Sequence, residues 1–195
     1  MIWIVRHTDT EWSASLRHTG RTDLPLSPAG RDEAAGLRGR LGGVDFAAVI
    51  SSPLRRARQT AELAGVVCTR EDDDLVEWDY GDYEGLTTVE IRQHHPGWDM
   101  WRDGTPGGED AAAVGARVDR VLARLAGSAD ASGPPPGSDG AGEILLVAHA
   151  HVLRVLSARW LGLPPADGAL FVLAPGGIGR LGYERERKVL CAWDI

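Results

Sequence analysis

Short apolar runs alternate with amphipathic stretches along the whole chain. Runs that are brief and rich in β-branched residues predict strands buried in a sheet. Before residue 150 these strands are predicted at Ile2–Val5, Ala48–Ile50, Val66–Cys68 and Ile144–Val147. Towards the end of the chain further strands are predicted at Phe171–Leu173, Ile178–Tyr183 and Val189–Trp193, with the last two forming a hairpin around Glu184–Lys188.

The stretches between the early strands carry helix signals. Ser27 suits an N-cap and Pro28 the first helical position, and this predicts a helix over Ser27–Leu41. Further helices are predicted at Leu54–Ala64 and Ala111–Leu125, where apolar residues form a stripe on one face. Another is predicted at Val152–Leu161, where Gly162 and Pro164 end the helix. Alternating strands and helices predict an α/β fold, a three-layer α/β/α sandwich with a mainly parallel central sheet.

Length and composition fit one domain spanning residues 1–195. The chain has 195 residues, of which 43% are hydrophobic, and this is enough for one full core. Residues 128–142, SADASGPPPGSDGAG, predict a flexible low-complexity loop with no catalytic role.

Charge and hydropathy limit the choice of partners. The net charge is -7 and no block of Lys or Arg occurs, so we expect neither nucleic acid nor a membrane as a partner. The negative net charge does not exclude a small anionic substrate, because a few arginines gathered in a cleft make the potential there positive. The N-terminal apolar run lacks the features of a signal peptide, and no run is long enough to span a membrane, so we expect a cytoplasmic protein. Cys68 and Cys191 lie in apolar runs and are predicted to be buried free thiols.

Polar side chains that follow predicted strands locate a candidate site. His7 and His149 each follow a buried strand directly, and a parallel sheet brings the ends of such strands to one rim. A third strand leads into Arg55, Arg56 and Arg58 on the first helical turn. Arginines are unfavourable there unless an anion is held nearby. Arg55 and Arg58 fit solvated positions, and we expect one of the three arginines to face the rim.

Four motifs occur in a fixed order along the chain. They comprise Arg6-His7 with Thr10, Thr19-Gly20 and Asp23–Gly30, then Ser51–Ala61, then Leu75–Gly85, and last Val147–His151. Together they resemble the motifs of the histidine phosphatase superfamily, which has the phosphoglycerate mutase-like fold. The match runs nearly end to end. It is closest to the branch of sedoheptulose-bisphosphatases and glucosyl-phosphoglycerate phosphatases. One position departs from the family, which usually has glycine where Thr8 stands.

The resemblance implies a reaction and a role for each motif residue. His7 would attack phosphorus and form a phosphohistidine. Arg6 and Arg56 would grip the phosphoryl oxygens bidentately, with a protonated His149 beside them. Glu77, desolvated by its aromatic neighbours, would act as general acid and then general base. The predicted enzyme is thus a phosphoric monoester hydrolase that acts on a small phosphorylated metabolite and needs no metal or cofactor.

Residues for the rest of the substrate are less sharply indicated. Relatives line the phosphate pocket at positions that correspond here to Ser13, Thr19 and Gly20. His151 and Arg154 follow His149 closely and are candidates for a distal anion, although a surface position suits Arg154 equally well. Trp98 and Trp101 fit either a sugar pocket or simple packing.

Other functions remain as alternatives at this stage. A phosphoglycerate mutase-type phosphotransferase is the nearest, because sequence does not measure the access of water to the intermediate. A metallohydrolase would use His149 and His151, completed by His7 and Asp9, but it leaves the arginines unexplained. A glycoside hydrolase would use Glu77 and Glu84, and it too gives the arginines no role. A non-catalytic sugar-phosphate-binding module leaves the full set of catalytic groups unexplained. The sequence leaves the oligomeric state open.

Overall fold

The central sheet of the computed structural model contains six strands, in the order β3-β2-β4-β1-β5-β6. The structure describes residues 1–127 and 142–195. The strands are β1 Ile2–Arg6, β2 Phe46–Ser51, β3 Arg70–Glu71, β4 Glu143–Ala148, β5 Ile178–Glu184 and β6 Arg187–Ala192. The helices are α1 Glu11–Ala14, α2 Pro28–Gly36, α3 Arg38–Leu41, α4 Arg55–Leu63, α5 Thr88–His94, α6 Met100–Asp103, α7 Ala111–Gly127 and α8 Ala150–Trp160. Shorter 3₁₀ turns lie at Asp73–Leu75, Gly81–Tyr83 and Pro165–Leu170.

The first four strands of the chain run parallel, and β5 runs against them. β4 pairs in parallel with β1 on one side and with β2 on the other. β5 pairs antiparallel with β1 and continues through a two-residue turn into β6, as the predicted hairpin requires. The predicted mainly parallel α/β/α arrangement is therefore confirmed.

Both faces of the sheet are covered, because alternate residues of each strand point to opposite sides. In β4, Leu146 and Ala148 pack into one apolar cluster and Leu145 and Val147 into the other. Helices α7 and α8 cover the first face, and α2, α3 and α4 contribute to the second. Continuous apolar runs such as ILLVA arise from this two-sided burial.

Four local predictions from the sequence were wrong. The strand predicted at Val66–Cys68 lies further on, at Arg70–Glu71, where the chain pairs with β2 at the sheet edge. Phe171–Leu173 forms no strand, because it follows a 3₁₀ turn. The helix over Ser27–Leu41 is interrupted at Leu37, which ends α2 and precedes α3. Cys68 and Cys191 are exposed, since one lies before the edge strand β3 and the other on the edge strand β6.

The remaining predicted elements agree within a few residues. Ser27 caps α2 by accepting a hydrogen bond from the Gly30 amide, and Pro28 is its first residue, as expected. The predicted loop at 128–142 lies outside the described residues apart from Gly142, and a single domain over 1–195 stays a prediction. Among the described residues, no helix is both long and apolar enough to cross a membrane.

Candidate active site

Three neighbouring strands deliver the candidate residues to one rim of the sheet. His7 follows β1, His149 follows β4 and Ser52 follows β2, with β4 in the middle. Backbone hydrogen bonds extend the pairing past the strand ends: the amide of His7 donates to Ala148 O and the amide of Ser52 to Val147 O, each at 2.9 Å. The ring centroids of His7 and His149 lie 5.0 Å apart. The predicted meeting of the two histidines is therefore observed.

His7 is neutral, and its hydrogen bonding selects one tautomer. Burial, followed by the charges of Arg56 and Arg6, holds its pKa well below the usual 6.5. Its Nδ1 lies 2.7 Å from the carbonyl oxygen of Thr8. Because a carbonyl only accepts, Nδ1 carries the proton. The lone pair is thereby left on Nε2, which is the form that a nucleophilic imidazole needs.

Arg56 is the arginine of its helix that turns inward. It is fully buried, whereas Arg55 and Arg58 are exposed. Four of its five N–H groups are already bonded. Nη1 donates to Thr22 O, Nη2 donates to Thr19 O and Gly20 O, and Nε donates to Nδ1 of His149 at 3.1 Å. In this conformation the carbonyls of Thr19, Gly20 and Thr22 occupy both terminal nitrogens, so the expected bidentate grip by Arg56 stays a prediction.

His149 is likewise neutral, which corrects the expectation of an imidazolium. Its Nδ1 accepts from Arg56 and must carry a lone pair, so Nε2 carries the proton and donates to Ser52 Oγ at 2.8 Å. Burial, and after it the charge of Arg56, keeps the pKa of His149 well below 6.5. An Nε2–H group is thus available beside His7 without a charge. Ser52 was not singled out from sequence, although it too is a polar residue directly after a strand.

Arg6 lies at the wall of the cavity with an incompletely bonded guanidinium. Its Nη1 donates to Leu173 O at 2.7 Å. Its Nε is buried and has no hydrogen-bond partner among the residues that the structure describes. A buried N–H without an acceptor is costly, so an anion bound here would relieve that cost.

The carboxylate of Glu77 sits at the N-terminus of α8. Oε1 accepts from the amides of Trp78 and Val152, and Oε2 accepts from the amide of His151 at 3.1 Å. The residue is 4% exposed, as the predicted desolvation requires. Helix N-termini favour negative charge, so the backbone fixes both the position and the orientation of this carboxyl group.

A cavity of about 470 Å³ opens over Arg6, His7 and Glu77, whereas the fully buried Arg56 and His149 lie outside its lining. It is lined by Arg6, His7, Ser13, Ser15, Leu16, Arg17, His18, Thr19, Glu77, Tyr80, Thr87, Thr88, Val89, Ala150 and His151. Ser13, Thr19 and His151 of the predicted substrate residues therefore reach it. Burial holds the pKa of His151 well below 6.5, and its Nδ1 shares a hydrogen bond of 2.5 Å with the Tyr80 hydroxyl. His151 therefore lines the cavity as an uncharged group, and its contact with a distal anion stays a prediction.

Gly20 and Arg154 lie outside that lining. Gly20 contributes backbone, since its carbonyl holds Arg56 and an added Cβ would lie 2.5 Å from Trp78 O. Arg154 stacks on Trp101 at 4.6 Å and donates to Gly168 O and Ala169 O, so its predicted contact with a distal anion is not observed. Trp98 is buried in the core. Both tryptophans therefore serve packing.

Glu84 is a supporting residue that sequence reasoning missed in this role. Its carboxylate accepts from the amides of Gly20 and Thr22 at distances between 2.9 and 3.1 Å. The same two residues offer their carbonyls to Arg56. Glu84 therefore holds the segment that holds Arg56. This use also removes Glu84 from the paired carboxylates that a glycoside hydrolase would need.

Thr8 adopts an ordinary backbone conformation and points away from the cavity. Its φ angle is not positive, and its hydroxyl donates to Gly30 O at 2.7 Å. Its methyl group lies 3.3 Å from where a Cβ of Gly176 would stand. The Thr8 side chain, which stands where the family usually has glycine, therefore packs against Gly30 and Gly176 and does not narrow the cavity.

The metal alternative fits the histidines poorly. Both ring nitrogens of His149 already have protein partners, Arg56 and Ser52. A cation ligated by His149 would have to displace the guanidinium of Arg56. In the described part of the chain, no group of three or more His, Cys, Asp or Glu residues is placed to hold a metal ion.

The α/β sandwich thus gathers two histidines, two arginines and a carboxylate at one rim of the sheet, a set of groups suited to bind an anion. The model of the histidine phosphatase superfamily, branch 1, matches residues 2–195, and the chain belongs to that superfamily. The resemblance seen in the sequence is thereby confirmed.

Several characterised proteins are similar over most of their length. An acid phosphatase of Mycobacterium tuberculosis is 39% identical, with 98% of this chain and 91% of the relative covered. Sedoheptulose 1,7-bisphosphatase of Saccharomyces cerevisiae is 37% identical over 82% of this chain and 67% of the relative. The solved structure of a Mycobacterium tuberculosis open reading frame product has a TM-score of 0.89 at 37% identity, with 100% and 96% coverage. A mycobacterial glucosyl-3-phosphoglycerate phosphatase has a TM-score of 0.84 at 31% identity, with 99% and 97% coverage.

Proposed function

We propose that the chain hydrolyses a small phosphomonoester through a phosphohistidine on His7. The single observation that carries this proposal is the tautomer of His7. Thr8 O holds the Nδ1 proton, so a neutral Nε2 lone pair faces a cavity that also contains Arg6 and Glu77. The superfamily and the phosphatase names of the relatives support a phosphoric monoester hydrolase.

In the first step, the Nε2 lone pair forms a bond to phosphorus as the bond from phosphorus to the ester oxygen breaks. The leaving oxygen takes a proton from Glu77. The Oε2 atom is suited to carry that proton, because it accepts one backbone hydrogen bond whereas Oε1 accepts two. In the second step, water attacks the phosphohistidine and gives its proton back to Glu77, which releases phosphate and restores His7.

Charge on the transferring group is balanced by two arginines that act differently. Arg6 lines the cavity beside His7, and in the described part of the chain only its Nη1 has a hydrogen-bond partner, so we assign this guanidinium the direct contact with the phosphoryl oxygens. Arg56 has one N–H group left and contributes mainly its positive charge, together with the polarisation of His149. When substrate binds, the Nε2–H of His149 would exchange its hydrogen bond to Ser52 Oγ for one to a phosphoryl oxygen and would act there as an uncharged donor.

The substrate is a small phosphorylated metabolite, a sugar phosphate or a related monoester. The names of the relatives support this class, and the cavity volume of about 470 Å³ fits such a molecule. The steps above require no metal or cofactor, since the protein's own groups supply the nucleophile, the proton and the positive charge. A location in the cytoplasm stays a prediction from sequence.

Trapping the intermediate tests the proposal. The protein is mixed with a radiolabelled phosphomonoester, quenched within the first turnovers and assayed for an acid-labile, alkali-stable label, while phosphate release is followed separately. We expect labelling and release from the parent protein and from the exposed control His94→Ala, and neither from His7→Ala.

Two outcomes would count against the proposal. Phosphate release by His7→Ala at the parent rate would remove His7 from the reaction. Transfer of the phosphoryl group between two positions of one substrate, without release, would assign the mutase alternative instead.

A further inference from the structure

The mouth of the cavity carries two exposed aliphatic side chains. Leu16 is 80% exposed and Val89 is 71% exposed, and both line the cavity that contains His7. They lie on two segments joined by an antiparallel bridge between Arg17 and Thr87. We call Ser15–Arg17 together with Thr87–Val89 the outer wall. Aliphatic surface that stays exposed at a binding cavity gains free energy when an apolar group covers it.

Leu16 is also held in an unfavourable backbone conformation. Its φ angle is 59°, in the left-handed region that glycine and asparagine occupy more readily. Two hydrogen bonds impose this conformation, from the amide of Leu16 to Ser13 O and from the amide of Arg17 to Trp12 O. A leucine therefore stands where the backbone favours a smaller or more polar residue. Strain and exposure in one cavity residue point to a ligand contact.

The positive charge in the outer wall is partly offset. Arg17 is the one arginine of the outer wall, and its Nη1 donates to Gly85 O at 2.6 Å and lies 3.7 Å from Oε2 of Glu90. His18, which lines the cavity beside it, is neutral near pH 7, since burial lowers its pKa to about 4. A second phosphate would have to compete with the carboxylate of Glu90 for the charge of Arg17.

We infer that the outer wall binds an uncharged and largely apolar organic group on a substrate with a single phosphate. The phosphate would lie at His7 and Arg6, and the organic group would cover Leu16 and Val89. The inference rests on the proposed function, and within the proposed class of small phosphomonoesters it favours those with an apolar group over the sugar phosphates. The occupant is the substrate's own organic group, because the wall is continuous with the catalytic cavity.

A matched pair of substrates isolates this contact. Cyclohexylmethyl phosphate and glucose 6-phosphate both carry a primary phosphate ester on a six-membered ring, and they differ mainly in the polarity of the ring. We expect kcat/KM to favour cyclohexylmethyl phosphate by about tenfold, the gain expected from covering one face of an apolar ring. Fructose 1,6-bisphosphate serves as the substrate with a second phosphate and should rank below cyclohexylmethyl phosphate.

Variants test whether the outer wall is the source of the preference. In the double variant Leu16→Asn with Val89→Thr, asparagine suits the left-handed backbone and threonine keeps the shape of valine. We expect the preference for cyclohexylmethyl phosphate to fall at least about fivefold, mainly through KM. The matched control combines Leu170→Asn and Val67→Thr at positions that are 74% and 82% exposed and lie outside the cavity lining. This control should keep the parent preference.

The outcomes separate the two proposals. A ratio of one or below, a higher kcat/KM for the bisphosphate, or an unchanged preference in the double variant would overturn the apolar outer wall. Release of no phosphate from any of the three substrates, with no labelled His7, would instead overturn the proposed phosphatase.

Discussion

Arg56 Nε donates a 3.1 Å hydrogen bond to His149 Nδ1, and both side chains are fully buried. All four hydrogen bonds of Arg56 go to neutral acceptors, three carbonyls and one imidazole. The guanidinium is therefore held without neutralisation of its charge by a contacting carboxylate. An arginine held in this way is preorganised to stabilise a phosphoryl dianion, because its field is already in place before the substrate arrives.

Replacing Arg56 by lysine should impair the reaction much more than it impairs folding. An ammonium group is unable to span the carbonyls of residues 19–22 and also reach His149. We expect Arg56→Lys to lower kcat per folded molecule by about 100-fold, measured as phosphate release at saturating substrate. Arg58→Lys is the matched control, because Arg58 is exposed on the same helix. A variant Arg56→Lys with a kcat within about threefold of the parent would contradict this assignment.

Glu84 should act on the reaction through Arg56. The substitution Glu84→Gln retains the shape but removes the negative charge and sets an NH₂ group against the amide of Gly20, which donates to both carboxylate oxygens. Losing a charged acceptor of buried amides costs about 1–3 kcal/mol. Vanadate binding should therefore weaken by about tenfold, measured by inhibition of phosphate release. Glu62→Gln, at an exposed position of α4, should bind vanadate like the parent. Equal inhibition of both variants would rule out a positioning role for Glu84.

Stability should fall as the solution is acidified below neutrality. Burial lowers the pKa of His18 from 6.5 to about 4, so between these values the unfolded chain binds more protons than the folded one. The contribution of His18 is therefore complete above about pH 6.5 and is lost as the pH falls through about 4. His7, His149 and His151, whose pKa values are also lowered by burial, act in the same direction.

Urea unfolding at a series of pH values checks this dependence. We expect His18→Gln to reduce the slope of unfolding free energy against pH by roughly 1.2 kcal/mol per unit between pH 6 and pH 5. The exposed His94→Gln should show the parent's slope. An identical slope for His18→Gln and the parent would show that His18 titrates normally in the folded state.

Thr8 should matter for stability and not for the chemical step. Thr8→Val removes the hydroxyl that donates to Gly30 O and leaves that buried carbonyl short of a partner. We expect the free energy of unfolding to fall by about 1–3 kcal/mol. Since the side chain lies outside the cavity lining, kcat/KM should stay within about threefold of the parent. A loss of kcat/KM larger than tenfold, with stability retained, would place the Thr8 hydroxyl in the reaction.

Hydrophobic patterning was sufficient for the strands and helices that form the core. β1 and β4 are buried on both faces, and a short, continuous apolar run is typical of a strand buried in this way in a parallel sheet. The edge strand β3 was misplaced because a two-residue strand is defined by its pairing with β2 and not by its own residues. The burial of Cys68 and Cys191 was mispredicted for a related reason: the apolar runs that contain them lie at the edges of the sheet, where they are only partly covered.

By itself, the sequence determined which residues stand at the strand ends: His7 and His149 follow apolar runs that have to be buried, and Arg56 and Glu77 occupy family motifs. The tertiary structure decided what those residues can do. The tautomer of His7 depends on how its ring meets the carbonyl of the adjacent Thr8, and the neutrality of His149 depends on Arg56 and Ser52, which only folding brings within 3.1 Å. Arg154 stacks on Trp101, and Leu16 lies at the mouth of the cavity. Neither position could be predicted from the local sequence pattern. Hydrogen-bond partners distant in the chain are chosen by packing, and packing is a property of the whole fold.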